Sequence, residues 1–401
     1  MSAWRSAVVV GLVAGIVGCR EQITTAGRCP SLCPRTNIEL ADTLLAMADS
    51  ADTSVRGFVL TREASFLLLS TLDSLKGRAL IRFSALDTIW FPATAETAYV
   101  GGIDSVRIAL QVEQRDTAVK QLKLLVYRLP ANFDTGASYA SIQPWFADST
   151  LLDTVPIGDS VVEGDTIGVR IATGLLIPPG DSDVLSLGLA ITAASPTALT
   201  VGSGNLSTSA PVLEYFVHAR TPLDTVTKET SVEPIVSLFV MSPPPAQPPP
   251  GVLAIGGIPS ARATLRLSLP KVVVDSESIV RATLLFNITG AAGGFARDSF
   301  YLLAEPVVRD YGVKSVLWPD STVSGKVLIH QGQTGPVELD LAPILRFWGT
   351  TTGDSTPRLV VVRAYPEGSI LGAVNFDSRS AGATGPALRV TYVKPYTFGV
   401  P

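Results

Sequence analysis

Arg78-Ala79-Leu80-Ile81-Arg82-Phe83-Ser84 and Arg262-Ala263-Thr264-Leu265-Arg266-Leu267-Ser268 are one pattern written twice. In the first, Ala79, Ile81 and Phe83 share a face and Arg78, Arg82 and Ser84 share the other. In the second, Ala263, Leu265 and Leu267 oppose Arg262, Arg266 and Ser268. Alternation of period two marks a strand with one side buried.

Four further matches follow in the same chain order. Thr53-Ser54-Val55 returns as Thr230-Ser231-Val232, Val106-Arg107 as Val280-Arg281, Leu124-Leu125 as Leu302-Leu303, and Pro211-Val212-Leu213 as Pro386-Ala387-Leu388. Ordered matches at similar spacing indicate a duplicated unit, with loop insertions absorbing the small differences. Candidate strands of the first copy include 54–60, 66–69, 79–86, 105–113, 122–129, 166–172, 184–192 and 212–218. Gly, Pro, Asn and Asp separate many of them, and no long amphipathic helix stands between them. Short strands without helical spacers predict an all-β chain of two tandem antiparallel β-sandwiches, of jelly-roll type. The expected division is 1–18 as a signal peptide, 19–37 as a tether, 38–220 as the first sandwich and 221–401 as the second. The run Ser242–Gly251, with two Pro triplets around Ala246-Gln247, has no counterpart in the first copy. Its composition reads as a linker, whereas the repeat register makes it a surface loop of the second sandwich.

Composition bounds the function. Hydrophobic residues are 46 % and charged residues 16 % of 401, which favours burial over solvation. The net charge is −4 and the basic residues stand singly, so no stripe tracks a nucleic-acid backbone. All three cysteines precede residue 34, so disulfides do not hold the folded body together. Cys29 and Cys33 are close enough to form a small disulfide loop in an oxidising compartment.

Arg5 followed by the apolar stretch Ala7–Val17 reads as an export signal, too short to span a bilayer. Ile16-Val17-Gly18-Cys19 resembles the bacterial lipoprotein signal, in which the cysteine is lipidated and becomes the mature N-terminus. That resemblance implies a chain held on a membrane through Cys19. Arg20 after the cysteine suits the outer membrane of a two-membrane envelope.

Other motifs point to a family. The strand pair 78–84 and 106–112 precedes Val126-Tyr127-Arg128, Phe133-Asp134 and Trp145. The second copy ends in Leu345-Arg346-Phe347-Trp348, Asn375-Phe376-Asp377-Ser378 and Pro386-Ala387-Leu388-Arg389-Val390-Thr391-Tyr392. This order resembles DNRLRE-type domains, a carbohydrate-binding-like jelly-roll family of secreted and anchored proteins. The chain departs from the pattern at Thr135, where the family commonly has an acidic residue. The resemblance implies a binding module for polysaccharide and puts Trp145 and Trp348 at packing positions.

Sugar sites stack aromatic rings on pyranose faces. The candidates are Trp90, Tyr139, Phe146 and Trp318, with Trp90 in an irregular segment as the leading one. Asp181-Ser182-Asp183 and Asp159, Glu163 and Asp165 offer oxygens for calcium but match no calcium-loop pattern, so no metal or cofactor is assigned. No nucleophile elbow, P-loop or HExxH occurs, and His218 and His330 read as strand residues. The sequence therefore points to a non-catalytic envelope protein. It binds polysaccharide on this reading, or serves as a structural spacer contacting other envelope proteins.

Overall fold

A computed structural model describes residues 40–46, 52–84, 86, 88–91, 96–173, 184–206, 208–220, 225–274, 278–295, 298–310, 317–350, 357–368 and 370–394. Cys19, Cys29, Cys33 and Asp181-Ser182-Asp183 lie outside these residues. The chain is nearly all β, in two large antiparallel sheet systems.

In chain order the first half forms β1 (Leu40–Ala46), β2 (Asp52–Phe58), β3 (Phe66–Leu72), β4 (Leu75–Ser84), β5 (Thr88–Phe91), β6 (Glu96–Arg115), β7 (Lys123–Arg128), β8 (Leu151–Pro156), β9 (Thr166–Ile171), β10 (Val184–Thr192), β11 (Ala198–Gly202) and β12 (Val212–Arg220). The second forms β13 (Thr225–Val232), β14 (Pro234–Ser242), β15 (Val252–Gly256), β16 (Ser260–Arg266), β17 (Ser278–Ile288), β18 (Ser299–Arg309), β19 (Trp318–Pro319), β20 (Gly325–His330), β21 (Gly335–Asp340), β22 (Leu359–Tyr365), β23 (Ala373–Asp377) and β24 (Ala387–Val393).

The pairings repeat. In one sandwich β14-β4-β10-β7-β8 faces β13-β12-β6-β9, and β3-β11 joins the layers. In the other, β2-β16-β22-β18-β20 faces β1-β24-β17-β21, joined by β15-β23. Each core lies between its layers, because one side of every strand is apolar. Ile81, Leu187 and Val126 share a cluster with Ile108, Val169 and Tyr215. Leu265, Val362 and Leu302 share theirs with Leu284, Leu339 and Val390.

The sheets do not follow the boundary at 220/221. β13 and β14 stay with the first copy, pairing β12 and β4. The other sandwich takes its corresponding hairpin from the start of the chain, with β1 pairing β24 and β2 pairing β16. One sandwich is thus continuous, residues 66–242. The other is built from 40–58 and 252–394, and the first is inserted into it. We call them the inserted unit and the host unit. The physical reason is edge closure: β24 and β16 would otherwise expose unpaired backbone, and the amino-terminal hairpin covers both edges. Local hydrophobic pattern carries no information about which copy of a hairpin fills which edge.

Ser242–Gly251 accordingly runs between units, from β14 to β15, and is not a loop within one sandwich. Gln247 supplies the hydrogen bonds its proline neighbours cannot: its Oε1 accepts from Arg56 N at 2.9 Å and its Nε2 donates to Arg56 O at 2.9 Å. The residues between Phe58 and Phe66 make the second crossing. Around both, Phe66, Leu68, Phe239 and Met241 of the inserted unit pack with Ile258 and Phe295 of the host. Gln114 Nε2 donates to Asp298 Oδ2 at 2.8 Å across the same junction. Burial, with Asp116 and Glu163 nearby, raises the Asp298 carboxyl above its usual range, against the lowering effect of the bond from Phe295 N.

Two of the repeat matches shift. β2 corresponds to β14, so Thr53 and Thr230 occupy different strands of the plan. A bulge between Ile279 and Arg281 moves β17 on, so that Ala282, not exposed Val280, stands where buried Val106 stands. Leu345-Arg346-Phe347-Trp348, read among strand motifs, forms instead the helix Ala342–Thr350, whose first N–H groups are met by Asp340 Oδ1 at Ala342 N, 2.9 Å.

Candidate functional site

Strands β18, β20 and β22 alternate, so every second side chain leaves the host core. Phe300, Leu302 and Ala304 point inward and Tyr301, Leu303 and Glu305 outward. The register places Leu328 of β20, Tyr301 of β18 and Tyr365 of β22 in one row across three strands. They are 36 %, 41 % and 50 % exposed. Direct partners in an antiparallel pair stand about 5 Å apart at Cα, so the two phenols project from neighbouring positions on one face. Lys326, one row along, holds its ammonium 5.6 Å from the Tyr301 ring centroid.

Below this row the charges are consumed internally. Arg363 donates to both oxygens of Glu305, at 2.9 and 2.7 Å, and Arg262 donates to both of Glu367, at 2.7 and 2.6 Å. Arg363 Nη1 lies 3.8 Å from Glu367 Oε2, which links the pairs. The bonds it donates to Glu305 raise the Arg363 guanidinium above its ordinary value, against burial, which lowers it. Arg262 also lies 4.1 Å over the ring of Phe58, so the borrowed hairpin is bound into the network. Glu305 is 2 % exposed. These carboxylates are structural acceptors aimed at arginines, not a pair facing each other across a groove.

The sequence candidates are dispersed. Trp90 lies in β5, opposite Thr97 of β6; its side chain is outside the described residues. Tyr139 and Phe146 belong to the inserted unit and are half-buried, with the Arg78 guanidinium 5.0 and 4.4 Å from their ring centroids. Phe146 also packs 4.9 Å from Tyr127. Both rings are therefore held as packing. Trp145 packs beside Phe133 at 6.5 Å, and Trp348 lies against the host core. Trp318 is 63 % exposed on β19, at the end of β18 remote from Tyr301. His218 faces Asp104 at 3.0 Å and His330 is exposed at the end of β20. Asp159 pairs with Lys120 at 3.3 Å and Asp165 accepts from Val162 N at 2.9 Å. Among the described residues no three His, Cys, Asp or Glu side chains are grouped to hold a metal.

Sequence reading missed Tyr301 and Tyr365. The available signal was period two: each sits in a strand whose buried residues occupy the other parity, so an outward tyrosine was legible once strand pairing was known.

No family model matches the chain, and no curated protein matches it. Among solved structures, the chain is similar to "Crystal structure of infectious bursal disease virus VP2 subviral particle", at 9 % identity and a TM-score of 0.14, over 87 % of this chain and 77 % of that one. A score that low carries no structural argument.

Proposed function

We propose that the protein is a lipid-anchored component of a bacterial cell envelope, held in the outer membrane through Cys19, and acts as a non-catalytic binding or adhesion module for polysaccharide. The observation that carries the binding reading is the exposed row Leu328–Tyr301–Tyr365 on the outer face of three paired strands. Two adjacent rings offer apolar area to successive pyranose faces, and the phenol hydroxyls and Lys326 offer hydrogen bonds. The motif order that resembles DNRLRE-type domains agrees with this reading through fold. The test is affinity electrophoresis through gels containing cell-wall and soluble polysaccharides. Retardation that Tyr301→Ala and Tyr365→Ala each reduce at least fivefold supports the reading; no retardation by any glycan overturns it.

A second reading, a structural spacer that contacts other envelope proteins, is favoured by one feature. Two chain crossings and a shared apolar junction join the units, an arrangement suited to transmitting position. Crosslinking in intact cells separates the two, since a spacer gives defined protein adducts with or without glycan.

A further inference from the structure

We propose that the end of the host unit where the chain enters and leaves is a membrane-contacting surface, and that its occupant is the bilayer into which the Cys19 lipid inserts. The proposal rests on the lipid-anchor reading for its geometry. Leu40 pairs with Val393, and Val393 pairs on its other side with Ser278. The tether therefore emerges about 10 Å, two strand spacings, from Ser278. Residues 20–39 separate it from the lipidated cysteine. Twenty residues reach at most about 70 Å even fully extended, so a lipid on Cys19 keeps this end toward the membrane.

The surface there has interfacial chemistry. Ser278 and Ile279 line a pocket of about 330 Å³ with Leu269, Leu345, Trp348 and Arg358. The Trp348 indole Nε1 is buried in it without a hydrogen-bond partner. Leu267 N donates to Arg358 O at 2.8 Å, which puts the start of β22 and the end of β18 at this same end. Exposed Trp318 pairs there with Arg309. Val272 and Val280 are 46 % and 47 % exposed. The described cations at this end are Lys271, Arg309, Arg346, Arg358 and Lys394; the described acids are Asp42, Asp320 and Asp310, which Arg266 engages at 3.0 Å, and Asp275 and Glu277 precede Ser278 in the sequence. Tryptophan and basic side chains around exposed aliphatics suit a headgroup region, because the rings are amphipathic and the cations meet anionic lipid. It follows that the host unit is membrane-proximal and the inserted unit, though earlier in most of the sequence, is distal.

The experiment places the lipidated mature chain in vesicles of phosphatidylcholine with about one third phosphatidylglycerol, with and without shallow spin-labelled lipid. Quenching of tryptophan fluorescence that drops by at least half in Trp318→Phe/Trp348→Phe is the expected result. An anchored chain whose fluorescence is unchanged by the spin label overturns the proposal while leaving the anchor reading intact. In parallel, the chain expressed without residues 1–19 is sedimented with the same vesicles and with pure phosphatidylcholine. Binding to the anionic vesicles alone, weakened about tenfold by Lys271→Glu/Arg346→Glu or by raising salt from 50 to 500 mM, supports the surface without any lipid on the protein. Failure to bind anionic vesicles overturns it. Mass spectrometry showing no lipid on Cys19 overturns the anchor reading separately.

Discussion

Replacing Arg363 by Met isolates the buried Glu305 carboxylate, and the consequence can be worked out. Glu305 is 2 % exposed and receives both of its side-chain bonds from Arg363. Without that guanidinium, the carboxylate is left buried with no cation to meet it. Removing one partner of a buried pair costs roughly 3–5 kcal/mol, and a deficit of that size is expected for Arg363→Met. The inserted unit suggests the remedy: the residues at the corresponding register positions, Tyr127 on β7 and Ala190 on β10, fold without an ion pair. Glu305→Met/Arg363→Met should therefore lie within about 1–2 kcal/mol of the parent. Urea unfolding followed by circular dichroism at pH 7, for the parent, both single variants and the double, measures all four corners of the cycle. A double variant as unstable as the sum of the singles, or an Arg363→Met variant as stable as the parent, would refute the account.

Three further outcomes follow from the fold. Residues 66–242 expressed alone should unfold cooperatively, since they contain every strand of the inserted sandwich, whereas 252–394 without β1 and β2 should lack a cooperative transition; a folded 252–394 fragment would contradict the borrowed hairpin. Burial pushes the Tyr215 hydroxyl up to about 12, and the residue is 3 % exposed. The protonated form is thus retained in the folded state, so stability should fall as pH rises from about 10 to 12 by about 3 kcal/mol, and Tyr215→Phe should flatten that fall in denaturation curves. At Gly188 an added Cβ would meet Phe146 Cζ at 2.8 Å and Leu129 Cδ2 at 2.9 Å. Gly188→Ala should displace the Phe146 ring from Arg78 and lower stability by about 1–3 kcal/mol, measurable by thermal unfolding, with a neutral effect arguing against that packing.

The strands were legible because burial imposes period two on local sequence. Ala79, Ile81 and Phe83 are all buried, as are Ala263, Leu265 and Leu267, and both stretches are central strands at the same place in their sheets. Duplication was legible for the same reason, since Leu124 and Leu302 sit on equivalent strands. The insertion was not. Leu40, Asp42 and Leu44 alternate with half-buried Ala41, Thr43 and Leu45, and that pattern would serve equally well on either sandwich. What decides it is a free edge more than 300 residues away, and no residue of the hairpin records it.

The surface shows the same limit from the other side. Tyr139, Phe146 and Tyr301 carry similar rings, yet the first two are occupied by Arg78 and the third is exposed. The difference lies in what the arginine of the duplicated stretch meets. Among the described residues Arg78 makes no ion pair and is taken up by rings, while its counterpart Arg262 is engaged by Glu367 and Tyr301 and Tyr365 stay exposed. One repeated residue with two kinds of partner thus closes the face of the inserted unit and opens that of the host. Restoring a carboxylate opposite Arg78 should release Tyr139 and Phe146 as well. Tyr127→Glu is the substitution that would do it, because position 127 packs against Phe146 within the field of Arg78. A rise in iodination of Tyr139 is the readout; unchanged labelling would show that the rings are held by the core rather than by the cation.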